Sequence, residues 1–121
     1  MQLNIQPPDF TSDEDRRGIV ELLLSYAGGP QAGGKAMSSA ATQRVIAMLA
    51  GNPTAVVLLA KLAGRPVGLA VCVESFSTFR AEPVLNLHDL VVAPDHQNRG
   101  IGRQLLEAVE QQARQRGACA V

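Results

Sequence analysis

The segment HDLVVAPDHQNRGIG, residues 88–102, holds the residues best suited to chemistry. An apolar strand pattern stops at Pro94 and passes through polar residues into a helix start marked by Gly100 and Gly102. Such a junction leaves main-chain N–H groups unpaired at the positive end of a helix dipole, where anions bind. Two residues without side chains let a bulky phosphate reach the main chain, and Arg99 and Arg103 add charge at its rim. A spaced glycine pair also serves turns and helix–sheet packing, so the residues alone leave phosphate binding and a structural turn both open. His88 is the second feature, because an imidazole can take up a proton near neutral pH. Strict strand alternation places Asn86, His88, Leu90 and Val92 on one face and Leu85, Leu87, Asp89 and Val91 on the other. The alternative for His88 is a strand histidine held by hydrogen bonds, with Asp89 fixing a neighbouring loop. His96, in the exposed PDHQN turn, reads as solvated.

Two other glycine signals do not carry phosphate chemistry. GGPQAGGK, residues 28–35, suggests a phosphate loop, but Ala36 follows Lys35 where Ser or Thr is needed, and a helix precedes it instead of a strand. It reads as a linker. A dinucleotide fingerprint requires a third glycine where this chain has Leu105.

The elements that must position these residues follow from periodicity. Residues 2–6 alternate polar and apolar and end at a double proline, as a short edge strand does. Ser12 caps a helix whose first turn is Asp13, Glu14 and Asp15, with Ile19, Leu22, Leu23 and Tyr26 at helical spacing until Gly28. A second helix is expected over 38–50, with Ala41, Val45, Met48 and Leu49 on its apolar side. TAVVLLAKLAG and RPVGLAVCVES then form a hairpin about a turn at Gly64-Arg65-Pro66, and VLNLHDLVV makes a third long strand. A final helix over 100–116 carries Ile101, Leu105, Ala108, Val109 and Ala113 on one stripe, with Gly117 as its cap. ACAV begins a further strand, which a crossover of this length makes parallel. The plan is α/β (α+β): a mixed, mostly antiparallel sheet with flanking helices, in one domain over residues 1–121.

Composition narrows the function classes. Eleven basic and eleven acidic residues give a net charge of zero, with no basic run, so nothing points to nucleic acid. Hydrophobic residues reach 46% and charged residues 18%, the balance of a folded domain. Cys72 and Cys119 lie in apolar segments and are expected to be buried, reduced thiols rather than a disulfide framework. No signal-peptide pattern or membrane-length apolar run is present, so no membrane association is expected and a cytoplasmic location follows by default. No spacing suggests a metal site.

The whole stretch LHDLVVAPDHQNRGIGRQLLEAVEQQARQRGA resembles the acetyl-CoA-binding segment of the GNAT superfamily of N-acetyltransferases. The family signature [QR]-x-x-G-x-[GA] is matched by Gln97-Asn98-Arg99-Gly100-Ile101-Gly102, preceded by a V-x-P pattern at Val92 and Pro94 and followed by the Leu105-Leu106 pair. The resemblance implies an acyl-CoA N-acyltransferase fold, lacking its C-terminal part in this chain. It implies acetyl transfer from acetyl-CoA to a primary amine by direct attack in a ternary complex, the acceptor being a small molecule or peptide. The main chain of Leu90, Val91 and Val92 would bond the pantetheine arm, and residues 97–102 with Arg103 would take the pyrophosphate. Polar residues of this strand often receive the acceptor's proton in the family, which makes His88 the candidate proton acceptor and Asn86 a wall of the same site. Phe76, Phe79 and Arg80, in ESFSTFRAEP, either wall the acceptor pocket, with Arg80 or Glu74 reading substrate charge, or cap the core. The tyrosine that family members use to protonate the thiolate comes from the part not matched here, and Tyr26 has no positional match to it. A short chain of this kind is alternatively a non-catalytic acetyl-CoA-binding or protein-interaction module, or a homodimer in which a second copy completes the sheet.

Overall fold

The computed structural model describes residues 2–27 and 39–118. Four strands and three helices are formed: β1 (Leu3–Gln6), α1 (Asp13–Ala27), α2 (Ser39–Gly51), β2 (Ala55–Leu62), β3 (Arg65–Ser77), β4 (Glu82–Val92) and α3 (Ile101–Gln115), with a short 3₁₀ turn at Pro94–His96. The strands lie in sequence order, every neighbouring pair antiparallel. The parallel strand expected from ACAV falls on residues 119–121, outside the described residues, as does Cys119. The glycine-rich linker with Lys35 lies outside them as well.

β2 and β3 are apolar on both faces because helices cover both. On one face Val56, Leu58, Ala60, Ala70, Cys72 and Leu85 pack against Ile101, Leu105, Val109 and Ala113 of α3. On the other, Val57, Leu59, Leu69, Val71 and Val91 pack against Ile19, Leu22 and Leu23 of α1, with Val45, Ile46 and Leu49 of α2 at the margin. Met48, expected on the apolar side of α2, is instead 70% exposed, and Ile46 takes the inward place.

The ends of these elements follow local chemistry. Ser12 Oγ accepts the N–H of Asp15 at 3.3 Å, the expected cap of α1. Asp15 is buried; its Oδ2 accepts the N–H of Asp9 at 2.8 Å and its Oδ1 lies 2.6 Å from Lys61 Nζ on β2. α3 ends in a Schellman motif: Gly117 has φ +72°, and the N–H of Ala118 reaches Ala113 C=O at 2.8 Å. The β2–β3 turn is Ala63-Gly64, both at positive φ, as a two-residue hairpin turn demands. It therefore sits one residue earlier than expected, and Arg65 and Pro66 already belong to β3. The Pro66 ring presses on α1 at Gly18, where a Cβ would come within 2.5 Å of it.

One irregularity matters for the site. Val71 pairs with Asp89 but Cys72 pairs with Leu87, so His88 is an extra residue in β4, a β-bulge. The bulge overturns strict alternation along this strand. Leu85, Leu87, Leu90 and Val92 pack on the α3 side, whereas Asn86, Asp89 and Val91 share the α1–α2 side through their pairing with Val73, Val71 and Leu69.

Candidate functional site

The site is built where β4 runs out. Ala93 N–H bonds Val67 C=O at 2.8 Å, which fixes the parity of the ladder: Val91 also turns its main chain to β3, opposite Leu69, while Leu90 and Val92 turn theirs to the far edge. β4 is the edge strand of the described sheet. Of the three residues expected to bond a pantetheine arm, then, Leu90 and Val92 offer main-chain groups outward and Val91 does not. The Val92 carbonyl is already engaged, accepting Gln97 Nε2–H at 3.2 Å, so the signature glutamine latches the loop onto the strand.

The loop from Ala93 to Gly100 needs two left-handed residues, Asn98 at φ +65° and Gly100 at φ +82°. Gly100 is the N-cap of α3, and no side chain caps this helix. The first bond from its opening turn is Gln104 N–H to Gly100 C=O at 3.1 Å, so the N–H groups of Ile101, Gly102 and Arg103 precede the ladder. A Cβ on Gly100 would meet nothing within 4 Å, and one on Gly102 only Val92 Cγ2 at 3.8 Å. Gly100 is thus required by its backbone conformation, whereas at Gly102 the protein itself leaves room. Arg99 and Arg103 are exposed, and neither forms an ion pair among the described residues.

What aims α3 at this edge is a close approach to β3. A Cβ on Gly68 would lie 2.9 Å from Leu105 Cδ1 and 3.1 Å from Ile101 Cγ2, so the first turn of α3 rests almost directly on the strand backbone. His96 lies in the 3₁₀ turn, half-buried, with Nδ1 buried and unpartnered; it is less solvated than its sequence context implies.

His88 is exposed at the bulge. Asn86, on the α1–α2 side, donates from Nδ2 to Ser75 Oγ at 2.6 Å. Asp89, assigned no chemical role from sequence, is half-buried on that side; burial pushes its carboxyl above the usual range, and the His88 charge pulls it partly back. A signal for the bulge was present in the sequence: the apolar positions 85, 87, 90 and 92 break period two between 87 and 90.

The aromatic loop lies away from the glycine loop, although Phe76 directly follows Ser75, whose Oγ accepts from Asn86. Phe76 is within β3, 71% exposed, and Phe79 and Arg80 lie in the β3–β4 turn, Phe79 100% exposed. That turn is at the opposite end of β4 from Val92, about 33 Å away along the strand. The rings do not cap the core either. Glu74 is paired with Arg116 at the end of α3, 3.5 Å apart. Among the described residues no group of three or more His, Cys, Asp or Glu is placed to hold a metal, and no helix is long and apolar enough to cross a membrane.

Comparisons with known proteins bear on this arrangement. The family model described as the acetyltransferase (GNAT) family matches residues 16–121. The fold is shared with a ribosomal-protein-alanine N-acetyltransferase from Brucella melitensis biovar Abortus 2308, at TM-score 0.79 and 18% identity, covering 98% of this chain and 77% of that one. It is also shared with an acetyltransferase described as possible from Clostridium difficile 630, at TM-score 0.82 and 15% identity, covering 99% and 77%. An aminoglycoside acetyltransferase from an uncultured soil metagenomic sample, in complex with sisomicin, matches at TM-score 0.77 and 19% identity, covering 98% and 74%. No curated protein matches this chain.

Proposed function

From the premise that this chain belongs to the GNAT family of acetyltransferases, we propose that it moves the acetyl group of acetyl-CoA to a primary amine by direct attack in a ternary complex. The observation that carries this reading is the pairing of two main-chain surfaces without partners among the described residues: the uncapped N-terminus of α3, and the outward groups of β4 at Leu90 with the outward N–H of Val92, whose carbonyl Gln97 already engages. The N–H groups of residues 97–103 hold the diphosphate, with Arg99 and Arg103 screening its charge. Leu90 and Val92 receive the amide-bearing arm as an added strand would be received. Acetyl-CoA, when bound, supplies a thioester carbonyl that the amine nitrogen attacks as the carbon–sulfur bond breaks.

The chain's own part is to hold this carbonyl beside the acceptor and to accept a proton. His88, at the bulge, takes the proton released by the attacking amine, and Asn86 helps to wall the acceptor's place. The latched Val92 carbonyl keeps the edge in one geometry. The acceptor is an amine of a small molecule or peptide. Acetylation by the ribosomal-protein-alanine and aminoglycoside enzymes of the same fold fits that chemistry.

Thiol release from acetyl-CoA, followed across a panel of primary amines from pH 6 to 9, tests the reading. Wild type is expected to release coenzyme A in an amine-dependent way, and His88→Ala to flatten the neutral limb of kcat/KM. Acetyl-CoA binding without amine-dependent release would leave a binding module and overturn the transferase.

A further inference from the structure

α1 and α2 enclose a crevice of about 550 Å³, a size that suits a small ligand, and no residue of β4 or of the loop before α3 lines it. Val20, Thr42 and Ile46 form its buried and half-buried lining, and Arg17, Glu21 and Gln43 its exposed one. Arg16 also borders it but is engaged, donating from Nη1 to the Phe10 carbonyl at 2.7 Å and ion-paired with Asp13. Arg17 and Glu21 are not engaged. They stand four residues apart on α1, hence side by side on its surface, yet neither forms an ion pair or hydrogen bond among the described residues. Arginine N-terminal to glutamate is the less favourable order for such a pair on a helix, which leaves both groups available to a ligand. Both also border a second hollow, beside Pro66, where Asp13 and Glu14 add negative charge and would repel a carboxylate.

We propose that the α1–α2 crevice binds a free α-amino acid with a large apolar side chain, its carboxylate on Arg17, its ammonium on Glu21 and its side chain against Val20 and Ile46. With Arg16 neutralised by Asp13, the lining carries one positive and one negative group. A simple anion would therefore meet Glu21 unpaired and a simple cation would meet Arg17 unpaired. A zwitterion satisfies both. The guanidinium takes a carboxylate through two parallel N–H donors, and the Glu21 carboxylate accepts from the ammonium. The apolar wall then sets a bulky aliphatic or aromatic amino acid above glycine, because only the former covers it. Binding here is separate from acetyl transfer, so the site stands whether or not the chain is a transferase.

Isothermal calorimetry on the full chain, at neutral pH and low ionic strength and without acetyl-CoA, tests the site with L-phenylalanine and three analogues. Phenylalanine is expected to bind saturably. Phenethylamine, which lacks the carboxylate, 3-phenylpropanoate, which lacks the ammonium, and glycine, which lacks the apolar side chain, should each bind about tenfold more weakly or worse. The variants should divide by charge. Arg17→Gln should weaken phenylalanine about tenfold and leave phenethylamine unchanged, whereas Glu21→Gln should weaken phenylalanine by a similar factor and leave 3-phenylpropanoate unchanged. A merely structural defect would weaken every ligand alike. Both residues are exposed on α1 and outside the proposed transfer site, so acetyl-CoA affinity should be unchanged in both variants. Amide shifts on adding phenylalanine should fall on residues 16–21 and 42–46. No saturable binding of phenylalanine, equal affinity for phenylalanine and phenethylamine, equal loss of all ligands in either variant, or shifts confined to β4 would each overturn the proposal.

Discussion

Replacing Gly68 by Ala should damage the proposed coenzyme A cradle without touching it. The added Cβ would lie 2.9 Å from Leu105 Cδ1, 3.1 Å from Ile101 Cγ2 and 3.4 Å from Ala60 Cβ. Carbon atoms at rest need about 3.5–4.0 Å, so α3 must lift from β3 by about 0.5–1 Å. Side-chain rearrangement is a poor escape, because Leu105 is fully buried, Ile101 is β-branched and Ala60 has nothing to rotate. Overpacking of this kind costs about 1–3 kcal/mol. Ile101 is also the first residue of α3, so the lift moves the free N–H groups of Ile101, Gly102 and Arg103 away from the β4 edge. Loosening one or two charge-assisted hydrogen bonds by that distance should weaken coenzyme A about tenfold. Urea denaturation and isothermal calorimetry on the same sample read the two effects. A Gly68→Ala protein with wild-type stability and wild-type affinity would refute the claim that this close approach sets the position of the cradle.

At the loop itself, Gly100→Ala forces φ +82° on a residue with a Cβ and should cost about 1–2 kcal/mol, whereas Gly102→Ala should leave the urea midpoint unchanged, since its Cβ meets only ordinary contact. Burial works to raise the Asp15 carboxyl, but Lys61 and the Asp9 N–H outweigh it and hold the carboxyl below its usual range. Its stabilising contribution is therefore present above about pH 4 and lost as pH falls through the lowered value, so Lys61→Met should destabilise by about 3 kcal/mol at pH 7, and by less at pH 2. Burial pushes the Cys72 thiol from 9.0 up to about 11. The unfolded chain ionises first, so about 2–3 kcal/mol of stability drains away between pH 9 and 11 in wild type; Cys72→Ala should lack that alkaline slope in thermal melts.

Most of the fold was legible because its elements repeat one local rule. Ile101, Leu105, Val109 and Ala113 recur every four residues and can face only one core, and Gly117 and Ser12 mark helix ends by chemistry that acts within a single turn. The glycine loop before α3 was legible for the same reason, being one contiguous run. The failures are tertiary. Met48 sits at a good helical phase, yet the packing of α2 on the sheet selects Ile46 in its place. The β2–β3 turn was displaced by one residue because Pro66 marks turns and also starts strands, and its ring was wanted against Gly18. Faces along β4 were misassigned because period two was carried through His88. The phase slip between Leu87 and Leu90 marked the bulge, but the aliphatic run LVV around it obscured which residues were inward. Where Phe76 and Phe79 sit, at the turn end of the β3–β4 hairpin, is likewise visible only from the pairing of β3 with β4.

The central claim is that the N–H groups opening α3, beside β4 at the edge of the described sheet, receive the diphosphate of coenzyme A. Amide chemical shifts of the full chain, recorded while acetyl-CoA is titrated in, test it most directly. The expected result is a saturable displacement concentrated at residues 97–103 and at Leu90 and Val92, with the helix-side residues of α1 unmoved. Saturation with shifts elsewhere, or no shift at millimolar acetyl-CoA, would contradict it.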